Sequence, residues 1–172
     1  MIAYFSMEVG VDAQVPTYAG GLGVLAGDVV RAAADLGAPF VAVTLLHRKG
    51  YFRQRLDGTG RQHEEPAEWD VGAALEPLSV RITVTINGRP VVVRPWQRNV
   101  YGIDGSAVPV FFLDTDVKDN APEDRTLTHF LYGGDAAYRL AQEAAVVGRG
   151  ACVGRAQQPG PRARSVPSVM QA

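Results

Sequence analysis

Residues 17–28 read TYAGGLGVLAGD, with four glycines set around the start of an apolar rhythm of helical period. A helix amino end leaves backbone N–H groups without intrahelical acceptors and carries partial positive charge. Glycines there let an anion, phosphate above all, approach bare backbone with no Cβ in the way. From Gly21 onward Leu22, Leu25, Ala26, Val29, Ala33 and Leu36 recur at helical spacing, and Gly37 with Pro39 supplies the stop. Working outward, Ile2–Phe5 is a short apolar run expected to form a buried strand, followed by Ser6-Met7-Glu8 at its carboxyl end. Residues 40–46, FVAVTLL, are apolar on both faces, as in a parallel strand covered by helices. Strand, loop, helix, strand makes a βαβ unit, expected to be right-handed. The chain is therefore placed in the α/β class.

Beyond this unit the rhythm shortens. Residues 51–56 and 61–65 flank Asp57-Gly58-Thr59-Gly60, and residues 80–86 and 90–96 flank Asn87-Gly88, so two hairpins are expected. Residues 99–103 and 108–113, separated by Asp104-Gly105, read as two more strands. Residues 122–132 and 135–147 read as helices, with Asp135 as the N-cap of the second. From Gly148 to Ala172 there are four arginines, three prolines and no acid, with no sustained apolar period. A domain over 1–147 followed by a disordered tail over 148–172 is expected. A shifted reading frame in GC-rich DNA would give that tail its Gly, Ala, Arg and Pro bias.

Composition narrows the partners. Seventeen basic and eighteen acidic side chains give a formal charge of −1, which offers no field to gather nucleic acid or an anionic membrane. One cysteine, Cys152, excludes an internal disulfide framework and fits a reducing, cytoplasmic setting. No export signal and no apolar run near the ~20 residues of a membrane span is expected to be found.

Several motifs carry competing readings. Gly21-Leu22-Gly23-Val24-Leu25-Ala26 fits the G-x-G-x-x-A dinucleotide pattern, but residues 6–19 separate it from its strand, and His47-Arg48-Lys49 follows the second strand where NAD enzymes place an acid. No Gly-Lys-Ser/Thr follows it, which excludes a P-loop. Tight packing of helix on sheet explains the glycines equally well. Asp114-Thr115-Asp116 could grip a divalent cation, although a strand ending in solvated acids is the commoner origin of such a triplet. Glu64, Glu65, Glu68 and Asp70 beside Trp69 could serve glycoside chemistry or form an acidic surface loop. Arg48, Lys49, Arg53 and Arg55 could line an anion cleft or merely solubilise a hairpin. His47, His63 and His129 have no zinc-ligand spacing, and no metal is expected.

Taken together, YFSMEVG at 4–10, YAGGLGVLAGD at 18–28, its continuation through RAAADLGAPFVAV to GYFRQ, and later HEEPAEWD, VFFLDTDV, LYGGD and YRLAQE stand in one order. In that order, over about residues 2–147, they resemble the amino-terminal region of the α-glucan phosphorylases of the shorter bacterial and archaeal branch. The resemblance implies part of the amino-terminal Rossmann-like half of a two-domain GT-B glycosyltransferase, with inserted β-hairpins. It implies an activity in which inorganic phosphate removes the terminal glucose of an α-1,4-glucan as glucose 1-phosphate, with retained configuration. Pyridoxal phosphate is the implied cofactor, acting through its own phosphate. By the same analogy Gly20, Gly21, Leu22 and Gly23 present N–H groups to the substrate phosphate and the reacting sugar, and Asp28 stabilises the helix or its packing.

The departures are as informative. Lys49 and Lys118 are the only lysines, and neither stands in the family's cofactor motif. The family's basic phosphate groups and its cleft histidine belong to regions beyond this one. No catalytic residue is therefore assigned, and the chain by itself is expected to be incompetent for phosphorolysis and prone to self-association. The alternative is a non-catalytic glucan- or phosphate-binding module.

Overall fold

The computed structural model describes residues 1–156, so the tail expected over 148–172 lies, from 157 on, outside the described residues. Along the chain come strand β1 (Ile2–Phe5), helix α1 (Gly20–Asp35), and strands β2 (Phe40–Leu45), β3 (Arg53–Leu56) and β4 (Gln62–Glu65). There follow the one-turn helix α2 (Val71–Ala74) and strands β5 (Glu76–Pro77), β6 (Ile82–Ile86), β7 (Arg89–Tyr101) and β8 (Ala107–Asp114). A single turn, α3 (Pro122–Arg125), and the long helix α4 (Ala136–Ala156) complete the described chain.

β1, β2 and β8 lie side by side in parallel, with Ala3 opposite Val41 and Val43 opposite Phe111. β7 and then β5 extend the sheet antiparallel, and β6 pairs with the first part of β7. Because successive strand side chains point to opposite faces, the sheet feeds two cores. Ala42, Val110 and Phe112 meet Ala26, Val30, Ala33 and Ala34 of α1. Val41, Val43, Leu45, Phe111 and Leu113 meet Ala141, Ala145 and Val146 of α4 on the other side. This helix-sheet-helix layering explains the unbroken apolar character of residues 40–46. The fold is mixed α/β with a largely parallel centre, as the sequence implies.

Both hairpins form. Asn87 and Gly88 carry positive φ of 50° and 74°, the paired left-handed conformation that a two-residue turn between β6 and β7 requires. Asp135 also behaves as expected, its carboxyl accepting the Tyr138 N–H at 2.9 Å to open α4. The helix then runs past Val147.

Four expectations change. β1 is the edge of the sheet, and Ile2 and Ala3 are exposed rather than buried. Residues 99–103 are not a separate strand, because β7 continues unbroken by changing partners, from β6 along its first residues to β8 from Arg94 to Tyr101. Residues 122–132 are not one helix. After α3 their carbonyls are taken from outside: Leu127 and Phe130 by the buried Gln142 amide, Thr128 and His129 by the Arg48 and Lys49 amides. Finally, the apolar stripe of α1 is out of phase with its buried face, which is Gly23, Ala26, Gly27, Val30, Ala33 and Ala34. Leu22, Leu25 and Leu36 are 69, 59 and 82% exposed. Small residues face inward because the preceding loop crosses α1 too closely for anything larger: a Cβ on Gly27 would sit 2.2 Å from the Gly10 carbonyl oxygen.

Candidate functional site

The carboxyl ends of β1 and β2 open toward the start of α1. Ala19, the N-cap residue, is extended at φ −142° and ψ 123° and has no side chain able to cap the helix. Its own N–H donates to Glu8 Oε2 at 2.7 Å. The amides of Gly20, Gly21 and Leu22 have no acceptor among the described residues. Gly23 is the first residue whose N–H can reach back to the Ala19 carbonyl in helical geometry. Of the predicted quartet, the structure thus leaves Gly20, Gly21 and Leu22 as consecutive donors without acceptors among the described residues and turns Gly23 to another use. The Gly23 carbonyl accepts the Gly10 N–H at 2.8 Å, and a Cβ there would lie 2.4 Å from Tyr18 Cβ. Around Gly20 and Gly21 there is no atom within 4 Å of a notional Cβ, and Gly20 holds φ at +69°. An open hollow of about 320 Å³ adjoins them, lined by Pro16, Tyr18, Gly20, Tyr51, Phe52 and Gln54. Three donors without acceptors, a helix dipole and aromatic walls suit a sugar carrying or meeting an anion. Asp28, farther along α1, makes only an exposed pair with Arg31 at 3.2 Å.

The segment after α3 faces the same opening. Leu131 N–H donates to the Gly50 carbonyl at 2.9 Å, and the Tyr132 ring meets Tyr51 edge-on with centroids 6.0 Å apart. The Tyr132 hydroxyl donates to Glu8 Oε1. That bond, ahead of burial, raises the hydroxyl to about 12, so it stays protonated. Glu8 is 3% exposed. Nothing periodic marks either residue in the sequence; Glu8 could have been suspected only as an acid ending an apolar strand.

The other predicted clusters are not brought to this opening as free groups. Asp114 is fully buried and accepts from Arg48 at 2.6 Å, Arg94 at 2.8 Å and the Trp96 indole at 3.1 Å. Burial by itself would raise its pKa, but the Arg48 and Arg94 hydrogen bonds outweigh it and hold the carboxyl below its ordinary value. Asp116 is closed by Arg125 at 2.6 Å. The triplet is therefore neither a metal grip nor a pair of solvated acids, but an arginine-locked joint between β2, β7 and β8. Among the described residues no group of three or more His, Cys, Asp or Glu is placed to hold a metal. Glu65 pairs with Arg55 at 2.7 Å, and Asp70 caps α2 through the Gly72 and Ala73 amides, so neither is a free carboxyl beside Trp69. The Trp69 indole donates to the His47 carbonyl at 3.3 Å. Arg48 is committed to Asp114, and Lys49 Nζ lies over the Phe130 ring at 5.3 Å.

His47, at the end of β2, is fully buried with φ 44°, and its Nε2 meets the Met7 carbonyl at 2.8 Å. Burial pushes it down to about 4, against the contacts to the Met7 and Phe130 backbone. Unfolded, the ring binds a proton near its ordinary value of about 6.5. Between that value and about 4 the unfolded chain therefore holds the extra proton, and stability falls as the pH drops through this window. The full loss is on the order of 3 kcal/mol. Denaturant unfolding followed from about pH 7 to about pH 4 checks this. The His47→Asn variant, whose side chain tolerates positive φ, should flatten the slope.

No model of a protein family matches the chain. Individual proteins do. It is similar to the glycogen phosphorylase of Mycobacterium tuberculosis, 41% identical over 149 residues, and to the maltodextrin phosphorylase of Thermococcus litoralis, 35% identical over 148 residues. Each match covers 83% of this chain and 17% of the relative. The glycogen phosphorylase of Aquifex aeolicus is 31% identical over 149 residues, 83% of this chain and 21% of its own. The chain thus spans about a fifth or less of the length of these relatives.

Proposed function

We propose, from the premise that over this shared stretch the chain belongs to the glycogen and maltodextrin phosphorylase family, that it carries the glycine-loop part of a glucan phosphorylase site. The observation that carries the reading is the row of Gly20, Gly21 and Leu22 amides, without acceptors among the described residues, at a helix start where the two glycines leave open space beside the backbone. In the reaction, inorganic phosphate takes the terminal glucosyl group of an α-1,4-glucan, giving glucose 1-phosphate and a glucan shorter by one unit. The three amides donate to phosphate oxygens and so hold a negative charge beside the positive, oxocarbenium-like character that develops as the glycosidic bond breaks. Tyr18, Tyr51 and Phe52 offer the apolar face of a hexose a surface to lie against. The α/β sheet with a helix on each face is then part of one Rossmann-like half of a GT-B architecture working in the cytoplasm.

Pyridoxal phosphate, which the kinship implies, does not fit the residues in hand. Lys118 is exposed and Lys49 is turned onto Phe130, so no sheltered amine stands ready to bind its aldehyde. No step is assigned through it. Arg48 and Arg94 are committed to Asp114, so neither is free to gather phosphate. Positioning of both reactants is where such a site gains its rate, and half a cleft positions neither. Purified chain incubated with glucan and phosphate is expected to yield no glucose 1-phosphate, and maltooligosaccharides should give no saturable response. Glucose 1-phosphate formed would overturn the claim of incompetence, and saturable glucan binding would mark the chain as a free-standing binding module.

A further inference from the structure

We propose that Glu8 is a positioning residue for the glycine loop, with Tyr132 as its second anchor. The inference rests on the phosphorylase reading for its purpose but not for its geometry. Glu8 follows β1 and is nearly inaccessible to solvent, yet neither oxygen is wasted: Oε2 accepts the Ala19 N–H at 2.7 Å and Oε1 accepts the Tyr132 hydroxyl. A helix amino end has four N–H groups without intrahelical partners. Here Glu8 takes the one from Ala19, and the next three are left facing outward. The carboxyl therefore sets where the free row begins and in which direction α1 presents it.

Three further contacts make this a fixed arrangement. Gly10 N–H donates to the Gly23 carbonyl at 2.8 Å, so the loop after Glu8 grips the first turn of α1 from its other side. The Glu8 oxygen lies 2.7 Å from where a Cβ of Gly23 would stand, so the carboxyl reaches Ala19 only because position 23 is glycine. Tyr132, itself at φ 58°, is carried by a segment whose amides and carbonyls are tied to residues 48–50 after β2. Through Glu8 the carboxyl ends of β1 and β2 and the segment after α3 thus converge on one backbone amide. An anion already seated at the helix start also has a chemical effect. Its charge opposes a second anion at Gly20 to Leu22, and the Ala19 and Tyr132 donors weaken that opposition by dispersing the charge.

The test uses the whole chain and backbone amide NMR, with Glu8→Gln, Tyr132→Phe and the double variant. Tyr132→Phe, changed at a half-exposed ring, keeps the test alive should Glu8→Gln fail to fold. Ala19 amide exchange is expected to accelerate about tenfold in either variant, because Glu8→Gln removes the charge of its acceptor and Tyr132→Phe removes the hydroxyl that holds that acceptor in place. The Gly20, Gly21 and Leu22 resonances should shift, while those of Val43 and Val110 stay in place. The double variant should add little to the single ones, because both act through one link. Unchanged Gly20 to Leu22 resonances, or exchange that rises equally at Ala19, Val43 and Val110, would overturn the proposal and leave Glu8 a merely structural acid. Failure of the phosphorylase reading shows differently: the wild-type loop would ignore phosphate while the variants still disturbed it.

Discussion

Asp114→Ala is expected to cost about 4 kcal/mol, a large share of the 5–15 kcal/mol that holds a domain of this size together. The carboxyl is fully buried at the end of β8 and receives two arginines, an indole N–H and the Asp116 amide. Arg48 comes from the segment after β2 and Arg94 from β7, so one side chain ties three strands at their ends. Removing it leaves two guanidinium groups, each about three-quarters withdrawn from water, facing each other across a cavity. The arginine pair is the source of the penalty. Asp114→Ala combined with Arg94→Met, which restores an apolar stem and removes one stranded charge, should recover part of the loss. Denaturant unfolding of the wild type, Asp114→Ala, Arg94→Met and the double variant measures both; additive costs would show that the pairing is not the cause.

Gly27→Ala is expected to cost about 3 kcal/mol, at the upper end of overpacking effects. In an ordinary helix interior the same change stabilises by up to about 1 kcal/mol, so the sign alone is decisive. The added Cβ would meet the Gly10 carbonyl oxygen at 2.2 Å and its carbon at 2.8 Å, backbone atoms that cannot step aside without moving the loop. That loop also gives the Gly10 N–H to Gly23 and two carbonyls, Gly10 and Val11, to Arg31. A thermal or denaturant midpoint that rises in Gly27→Ala would show that the loop and helix are not in contact in solution.

The contrast between these two residues shows what the sequence made legible. The βαβ unit is written in local terms, because glycines before an apolar period and a doubly apolar run after it need no partner to be recognised. The hairpin turn at Asn87-Gly88 is equally local, since few residues accept its positive φ. The phase of α1 is not local. Counting leucines points outward, whereas the loop crossing at Gly10 selects glycine and alanine for the inner face. Likewise, β7 has polar Gln97, Arg98 and Asn99 in its middle, which look like a break until β8 is seen to pair with them. Asp114 closes an apolar strand, a position that suggests a solvated end, and its partners lie 20 and 66 residues away.

For the site, the glycines flag where the free amides are, but not that the row starts after Ala19 or that Gly23 is spent on the loop. Those facts depend on Glu8 and on Tyr132, which stands 124 residues beyond it. The exposed Leu22 and Leu25 beside the row, together with the uncovered edge β1, leave an apolar surface of the kind that promotes self-association.

The central claim is that the first turn of α1 holds an anion on its own backbone. Titration of the 172-residue chain with inorganic phosphate, followed by backbone amide NMR, tests it most directly. The Gly20, Gly21 and Leu22 amide protons are expected to move downfield together along one saturable curve at millimolar phosphate, while Gly23, bonded within the helix, moves least. If those three stay still, or if the shifts gather instead around exposed arginines such as Arg53 and Arg61, the glycine loop is a packing device and the functional reading is contradicted.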